Sequence, residues 1–452
     1  MKKRNTNTIQ FVILMVFSVA VLVQGFTHVF PMQLSGYSEE KQPVELTFKT
    51  YSDGSYQDYL SEYAKVNGGF RELFIRSYNQ YLYSCFKEFS NDNVVAGEKN
   101  ELYLQMYLDE ISGKTFQEKF DSKEDFKVTA QRNVEKTLVL IDSLRHHNTE
   151  LLIIEAPSKT HVYPEYLPKR YCEKHESDPF SIQEYYVDLF RQNHINHIDF
   201  LGQFKSMKDN VPYPLYSPFG THWAESTIPF VADSILRKIE EILDVELPHI
   251  EIVDQNITST YSKQDGELEG LTNLVFPLLK PALPQPVFRL CDTVGKSKPN
   301  VLFISDSYFI QLHESCFVDC FNQCEYWKYN REVFDTDLSY KGTIGEYAYA
   351  YSVIDEADLV VVMNTAPYSY DYLFGFCDSV KEYFNDGGAK LEEMKIRNLI
   401  KFIEDDSEWF EAIKRQAEEN GIGLEEALRG NAQYVLFEEK QKRNENHVIK
   451  LK

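Results

Sequence analysis

Val301-Leu302-Phe303-Ile304-Ser305-Asp306-Ser307-Tyr308 is an apolar run that passes directly into a short polar turn. The run has the length of a buried strand, and Ser and Asp after it are preferred at a helix N-terminus. A strand that ends in a tight turn carrying Ser presents a hydroxyl at the mouth of a sheet, beside unpaired N–H groups of the next helix. Ser307 is therefore a candidate nucleophile, and a plain N-cap is the competing use of the same residues. Upstream, Gly220-Thr221-His222-Trp223 offers His222 as a base for that serine. Its competing use is a packed His beside Trp223 at the start of a helix.

Other segments set this strand in a sheet. Leu151-Leu152-Ile153-Ile154-Glu155, His197-Ile198-Asp199-Phe200 and Leu359–Met363 read as further strands. Helical patterns over 134–144, 181–193 and 224–242 separate them. Strands alternating with helices predict an α/β fold, a mostly parallel sheet with helices on both faces. Ahead of it, residues 57–90 carry helical periodicity through Tyr59, Leu60, Tyr63, Phe70, Leu73, Phe74, Tyr78 and Leu82. Val94–Gly97 and Leu102–Leu104 read as a hairpin. Residues 250–298 read as irregular, because Pro277, Pro281, Pro284 and Pro286 oppose regular structure. From 393 to 440 the pattern is amphipathic helices, with Gly421-Ile422-Gly423 between two of them.

The 452 residues suffice for one large or two medium domains, and 43% hydrophobic with 14% aromatic content describes a folded chain. A formal net charge of −23 argues against nucleic acid as a partner. Met1-Lys2-Lys3-Arg4 precedes a nearly unbroken apolar run from Ile9 to Phe26, near the lower limit for a membrane-spanning helix. Basic residues before it place the N-terminus in the cytoplasm and the remainder outside. An uncleaved signal anchor is expected, since small residues at a cleavage spacing are absent around Val23-Gln24-Gly25-Phe26; a cleaved signal peptide is the rival. Among seven cysteines, Cys316, Cys320 and Cys324 recur at four-residue spacing, as along one helix face. No His completes a tetrahedral metal set with them, so three buried small side chains are expected and no metal. Nor does a glycine-rich phosphate loop imply a cofactor.

Several motifs in order resemble the SGNH hydrolase-like domain of the AlgX/AlgJ-type alginate O-acetyltransferase group. They are Gly69-Phe70-Arg71 with Asn79-Gln80; Val94-Val95-Ala96-Gly97-Glu98-Lys99-Asn100-Glu101-Leu102-Tyr103; Ala156-Pro157-Ser158-Lys159 with Tyr163-Pro164-Glu165 and Leu167-Pro168; Gly-Thr-His-Trp at 220–223; and Ser-Asp-Ser-Tyr at 305–308. The resemblance spans roughly 57–380 and implies a flavodoxin-like SGNH fold, Ser307 as nucleophile and His222 as base. Asp306, Tyr308, Thr221 and Trp223 support these motifs. Gly220 stands where the family has the Asp that orients the His, and Ser305 replaces a glycine common before Asp-Ser. Loss of the acid in a Ser–His–acid triad costs about 10⁴-fold in turnover. A Ser–His dyad, or an Asp or Glu brought from elsewhere, could still work; Glu225, which follows His222 on a helix, carries little weight as that acid.

On this reading the chain comprises a cytoplasmic tail (1–8), a membrane-spanning signal anchor (9–26), a juxtamembrane linker (27–56), the SGNH hydrolase-like domain (57–385) and a C-terminal helical appendage (386–452). The expected function is a serine-dependent O-acetyltransferase or acetylesterase acting on an exported or cell-surface polysaccharide, in the periplasm or outside the cell. The oxyanion would be held by backbone amides near Ser307–Tyr308. Asn364 and Lys159 are candidates for oxyanion or substrate contact. The resemblance also implies a multipass membrane O-acyltransferase as partner. A catalytically inactive carbohydrate-binding or scaffold component is the alternative, and Gly220 is its support.

Overall fold

The computed structural model of the protein describes residues 2–27, 29, 34–36, 43–177, 180–344, 350–385 and 389–450. Parts of the expected linker, and residue 1 of the expected tail, lie outside these. In chain order, α1 (Lys2–Thr27), α2 (Ser55–Val66) and α3 (Arg71–Phe86) lead into the hairpin of β1 (Val94–Ala96) and β2 (Leu102–Leu104). Then come α4 (Gln105–Ile111), α5 (Lys123–Arg145), β3 (Glu150–Ala156), α6 (Ile182–Gln192), β4 (His197–Asp199) and α7 (Ile228–Leu243). The ribbon strands β5 (His249–Thr258) and β6 (Leu283–Cys291) enclose α8 (Glu267–Thr272). After them follow β7 (Asn300–Ser305), α9 (Tyr308–Glu314), β8 (Gln323–Lys328), β9 (Glu332–Phe334), β10 (Tyr340–Thr343), β11 (Leu359–Thr365) and α10 (Phe376–Asn385). The chain ends in α11 (Ala389–Asp405), α12 (Ser407–Asn420) and α13 (Leu424–Lys450).

The seven-stranded sheet has the order β10-β9-β8-β7-β11-β3-β4, parallel from β8 through β4 and antiparallel at β9 and β10. Side-chain alternation divides each central strand between two cores. Leu152, Ile154, Val301, Phe303, Val361 and Met363 pack on one face with α7 and α9. Leu151, Ile153, Leu302, Ile304, Val360 and Val362 pack on the other with α5, α6 and α10. Both faces are covered, so the strands carry continuous apolar runs, as the sequence predicts. The fold is α/β, with one apolar N-terminal helix. Within that helix Thr8–Thr27, 20 residues, is long and apolar enough to cross a membrane. The terminal helices share a small core of their own, made by Ile396, Ile403, Ile413, Leu428 and Ala432.

Three expectations are corrected. The helical stretch at 57–90 is broken at Gly68-Gly69-Phe70, where Phe70 adopts a left-handed φ of 62°. Residues 250–298 are not irregular throughout: 250–258 and 283–291 form a ribbon in which Pro284 pairs with Ile257 and Pro286 with Gln255, while Pro277 and Pro281 lie in the irregular stretch between. In a two-stranded ribbon both strands are edges, so a proline's missing N–H can face outward without loss of pairing. The cysteines do not share a helix face. Cys316 caps a short 3₁₀ turn ending at Cys320, and Cys324 lies on β8. Cys320 and Cys324 are buried.

Candidate active site

β7 delivers Ser307 to the C-terminal edge of the parallel strands, and α9 begins at the next residue. The turn between them is fixed from three sides. The Asp306 carboxylate accepts from the Tyr308 amide at 3.0 Å and from the Thr365 hydroxyl at 2.6 Å, at the end of β11. The Asp306 carbonyl accepts from the Tyr326 hydroxyl at 2.6 Å. Asp306 thus holds the turn that aims Ser307 and is itself buried. Of the two amides expected to hold an oxyanion, Tyr308's is spent on Asp306. Among the described residues, the Ser307 amide has no acceptor.

The second segment, 217–223, is clamped over this turn. The Tyr308 hydroxyl donates to the Thr221 carbonyl at 2.8 Å, and Gln311 Nε2 to the Trp223 carbonyl at 2.9 Å. Trp223 is fully buried and meets the Tyr308 ring edge-on at 4.9 Å. On the far side, Leu102 N donates to the Pro218 carbonyl, and Lys159 Nζ reaches the carbonyls of Ser217 and Pro218 at 3.2 and 3.1 Å. These contacts bring His222 Nε2 to 2.8 Å from Ser307 Oγ, although the two residues are 85 apart in the chain.

The other ring nitrogen meets an acid that sequence reasoning missed. His222 Nδ1 lies 3.1 Å from Glu267 Oε1, and the same oxygen accepts from the Thr221 amide at 2.7 Å. Glu267 opens α8, which is seated by the Leu268 amide on the Phe219 carbonyl and by Leu268 in the small core of Phe89, Val94, Leu102, Phe219 and Leu274. Gly220 explains the exchange of acids. A Cβ at that position would lie 2.7 Å from the Gln264 carbonyl oxygen, so the segment bearing Glu267 occupies the space that an Asp at 220 would need.

The electrostatics are those of a coupled acid–imidazole pair. Burial alone would push the His222 pKa down; the hydrogen bond and charge of Glu267, with Asp306 and Glu225, outweigh it and raise the pKa above the ordinary imidazole value. Burial pushes Glu267 up, but its bonds to His222 and Thr221 prevail and hold it below the usual carboxylate range. Glu225 contributes only this long-range charge. It lies behind the loop, where its amide meets buried Asp265.

The remaining candidates sit elsewhere. Asn364 precedes Thr365 on β11, so alternation turns it to the opposite side, where Nδ2 donates to buried Glu155 at 3.0 Å. Lys159 is not a loop-surface lysine. It is 4% exposed and pairs with Glu101 at 3.1 Å beneath the 217–218 carbonyls, so it shapes the His222 loop from behind. Tyr107, also missed, is buried against the turn, with its pKa pushed well up by burial and by the Asp306 charge, and the Thr365 hydroxyl beside its own. It lines a small cavity with Lys159, Thr160, Thr221 and Leu268. Among the described residues, no group of three or more His, Cys, Asp or Glu is placed to hold a metal ion.

No protein-family model and no curated protein matches the chain. Solved structures do. The O-acetyltransferase domain of Pseudomonas putida AlgJ is similar at 16% identity and a TM-score of 0.38, over 64% of this chain and 99% of that one. Pseudomonas aeruginosa AlgX is similar at 14% identity and a TM-score of 0.41, over 63% of this chain and 66% of that one. A DHHW family protein from Eubacterium siraeum is similar at 10% identity and a TM-score of 0.31, over 53% and 85%. These are likenesses of fold, and the first two fall in the AlgX/AlgJ-type group that the sequence motifs resemble.

Proposed function

We propose that the protein is a serine acyl-transfer enzyme, an O-acetyltransferase or acetylesterase that modifies a polysaccharide outside the cytoplasmic membrane and is anchored there by α1. The observation that carries this reading is the continuous relay Ser307 Oγ–His222 Nε2 and His222 Nδ1–Glu267 Oε1. A nucleophile, a base near neutrality and an orienting acid are the parts that acyl transfer requires. Gly220, which supported an inactive scaffold, now has a compensating partner in Glu267.

In the proposed cycle, Ser307 Oγ attacks the acyl carbonyl and its proton passes to His222 Nε2. Glu267 stabilises the imidazolium through the Nδ1–H bond. The Ser307 amide and a second donor receive the oxyanion. Collapse expels the leaving alcohol, which takes the proton from Nε2, and leaves the acyl group on Ser307. A sugar hydroxyl or water then loses its proton to Nε2 and attacks the acyl carbon; collapse breaks the bond to Ser307 Oγ, which takes the proton back from Nε2 as the acetylated sugar or acetate leaves. The sugar class follows from the resemblance of the motifs, as does a multipass membrane acyltransferase as the source of acyl groups.

The test is acetate release from 4-nitrophenyl acetate by the wild type beside Ser307→Ala and His222→Ala. Turnover lost in both variants supports an acyl-enzyme. Turnover indifferent to both means that the constellation is inert, and glycan binding becomes the reading to pursue.

A further inference from the structure

Helix α3 is amphipathic in the wrong sense for a surface helix in water. Its polar side chains point into the protein: Arg76 Nη1 donates to the Leu274 carbonyl at 2.8 Å, buried Asn79 Nδ2 to the Thr272 carbonyl at 3.0 Å, and Gln80 Oε1 accepts from the Phe276 amide at 3.1 Å. Apart from Tyr83, which stacks on Phe89, its largest apolar side chains point out. Phe74, Tyr78 and Tyr81 are 49, 56 and 55% exposed and follow one another at the i, i+4, i+7 spacing of a single helix face. Leu73 and Phe86 flank this row, and Phe276 at 69% extends it onto the next loop. A contiguous exposed stripe of this kind marks a surface that something covers.

The neighbour of the stripe indicates what covers it. α1, the apolar membrane-length helix, packs on the start of α3. A Cβ at Gly69 would collide with the Val21 carbonyl and another at Gly25 would press on the Asn67 carbonyl, so both glycines permit close backbone approach. Phe17, midway along the span, meets Phe74 with ring centroids 6.1 Å apart. Beyond α1 the chain is tied to the same region again. Ser35 N donates to Asn273 Oδ1, and Asn273 Nδ2 to the Ser35 carbonyl, both at 2.9 Å. The aromatic row is thus continuous with the segment that enters the bilayer.

We propose that the outer face of α3 lies in the membrane, so that the enzyme is a partly embedded body rather than a domain tethered at a distance. The occupant is lipid: the row adjoins α1 at Phe17, in the middle of its apolar span, and Arg76, Asn79 and Gln80 of α3 are satisfied inward. This rests on the anchoring role given to α1 under the proposed function. The geometry also ties the lipid face to the triad. α8 runs from Glu267, at His222, to Thr272, whose carbonyl is held by Asn79 of α3, and six helical residues span only about 9 Å. The catalytic acid therefore stands one short helix above the membrane face.

The test uses the full chain reconstituted in vesicles of phosphatidylcholine and phosphatidylglycerol, with brominated phosphatidylcholine as the quencher. Phe74→Trp and Tyr81→Trp report the stripe, Val16→Trp reports α1, and Val253→Trp on the exposed ribbon is the control. The fluorescence of the unsubstituted protein is subtracted, and thermal melting verifies each fold without reference to activity. Quenching at 74 and 81 about twofold or more above that at 253, with 16 also quenched, is the expected result. Quenching at 16 alone overturns the proposal: water or protein then covers the stripe while the anchor stands. Absence of quenching at 16 removes the anchor and the proposal together, yet leaves the Ser307 chemistry untouched.

Discussion

The carboxylate of Glu267 spans two groups of one loop, 3.1 Å from His222 Nδ1 and 2.7 Å from the Thr221 amide, with the same oxygen. It fixes the imidazole tautomer and the backbone that carries the ring. An acid in that position leaves Nε2 unprotonated and facing Ser307 in the neutral state, as a general base requires.

Glu267→Gln removes the charge and keeps the shape. It is expected to lower kcat on an acetyl ester by about 10²–10⁴-fold. The pH profile gives the sharper check. Glu267 holds the His222 pKa up, so in the wild type the rate rises with pH through a value above the ordinary imidazole figure of about 6.5. Without the Glu267 charge, burial dominates and the acid limb moves to lower pH. A limb that does not move, measured as kcat/KM across pH, would mean that Glu267 is not coupled to the base.

Gly220 is a steric requirement of the same arrangement. Gly220→Ala places a Cβ against the Gln264 carbonyl and is expected to cost about 1–3 kcal/mol of stability and to displace Glu267 from His222. Gly220→Asp is expected to lose activity, since the added carboxylate competes for the space that delivers Glu267. Urea unfolding and ester turnover on both variants decide this. A gain in turnover with Gly220→Asp would show that the site tolerates the acid at either place.

Why Ser307 and His222 were legible and Glu267 was not follows from chain geometry. The serine follows an apolar run and the histidine sits in a short aromatic loop, so each is marked by its neighbours. Glu267 lies 45 residues beyond His222, inside a proline-rich stretch that sequence rules assign to irregular structure. Only the pairing of β5 with β6 makes that stretch a ribbon and returns α8 to the histidine. The central strands were legible because burial on both faces demands continuous apolar runs. The exposed row on α3 was legible as a helix but not as a surface, since periodicity gives a face without saying what it meets. A hint for Glu267 was available in Gly220 itself: a missing acid beside a retained Ser and His asks for another carboxylate.

Glu155 is an acid that the fold keeps neutral. It is buried at the end of β3 with Gln183, Asn364 and Ser369 donating to it, and burial raises its pKa to about 8. The folded state holds this proton more tightly than the unfolded chain does. Its contribution to stability is therefore complete below the unfolded carboxylate value of about 4.3 and is lost as pH rises through about 8. Glu155→Gln cannot ionise. Between about pH 5 and pH 9 the stability difference is expected to shift toward the variant by at least about 1 kcal/mol. Parallel denaturant curves at the two pH values measure it, and a pH-independent difference would place the titration elsewhere.

Tyr107 is the residue we predict to give the oxyanion a second donor. The Tyr308 amide is occupied by Asp306, so the Ser307 amide alone is an incomplete hole, and the buried Tyr107 phenol, with the Thr365 hydroxyl beside it, keeps its proton because burial and the Asp306 charge push its pKa well up. Tyr107→Phe removes only the hydroxyl. It is expected to lower kcat about tenfold or more while KM for a small acetyl ester changes little, because the bond forms as charge develops on the carbonyl oxygen. Thermal unfolding should stay close to the wild type, since the ring keeps its packing. A variant with unchanged kcat and a lower melting temperature would reduce Tyr107 to a structural wedge.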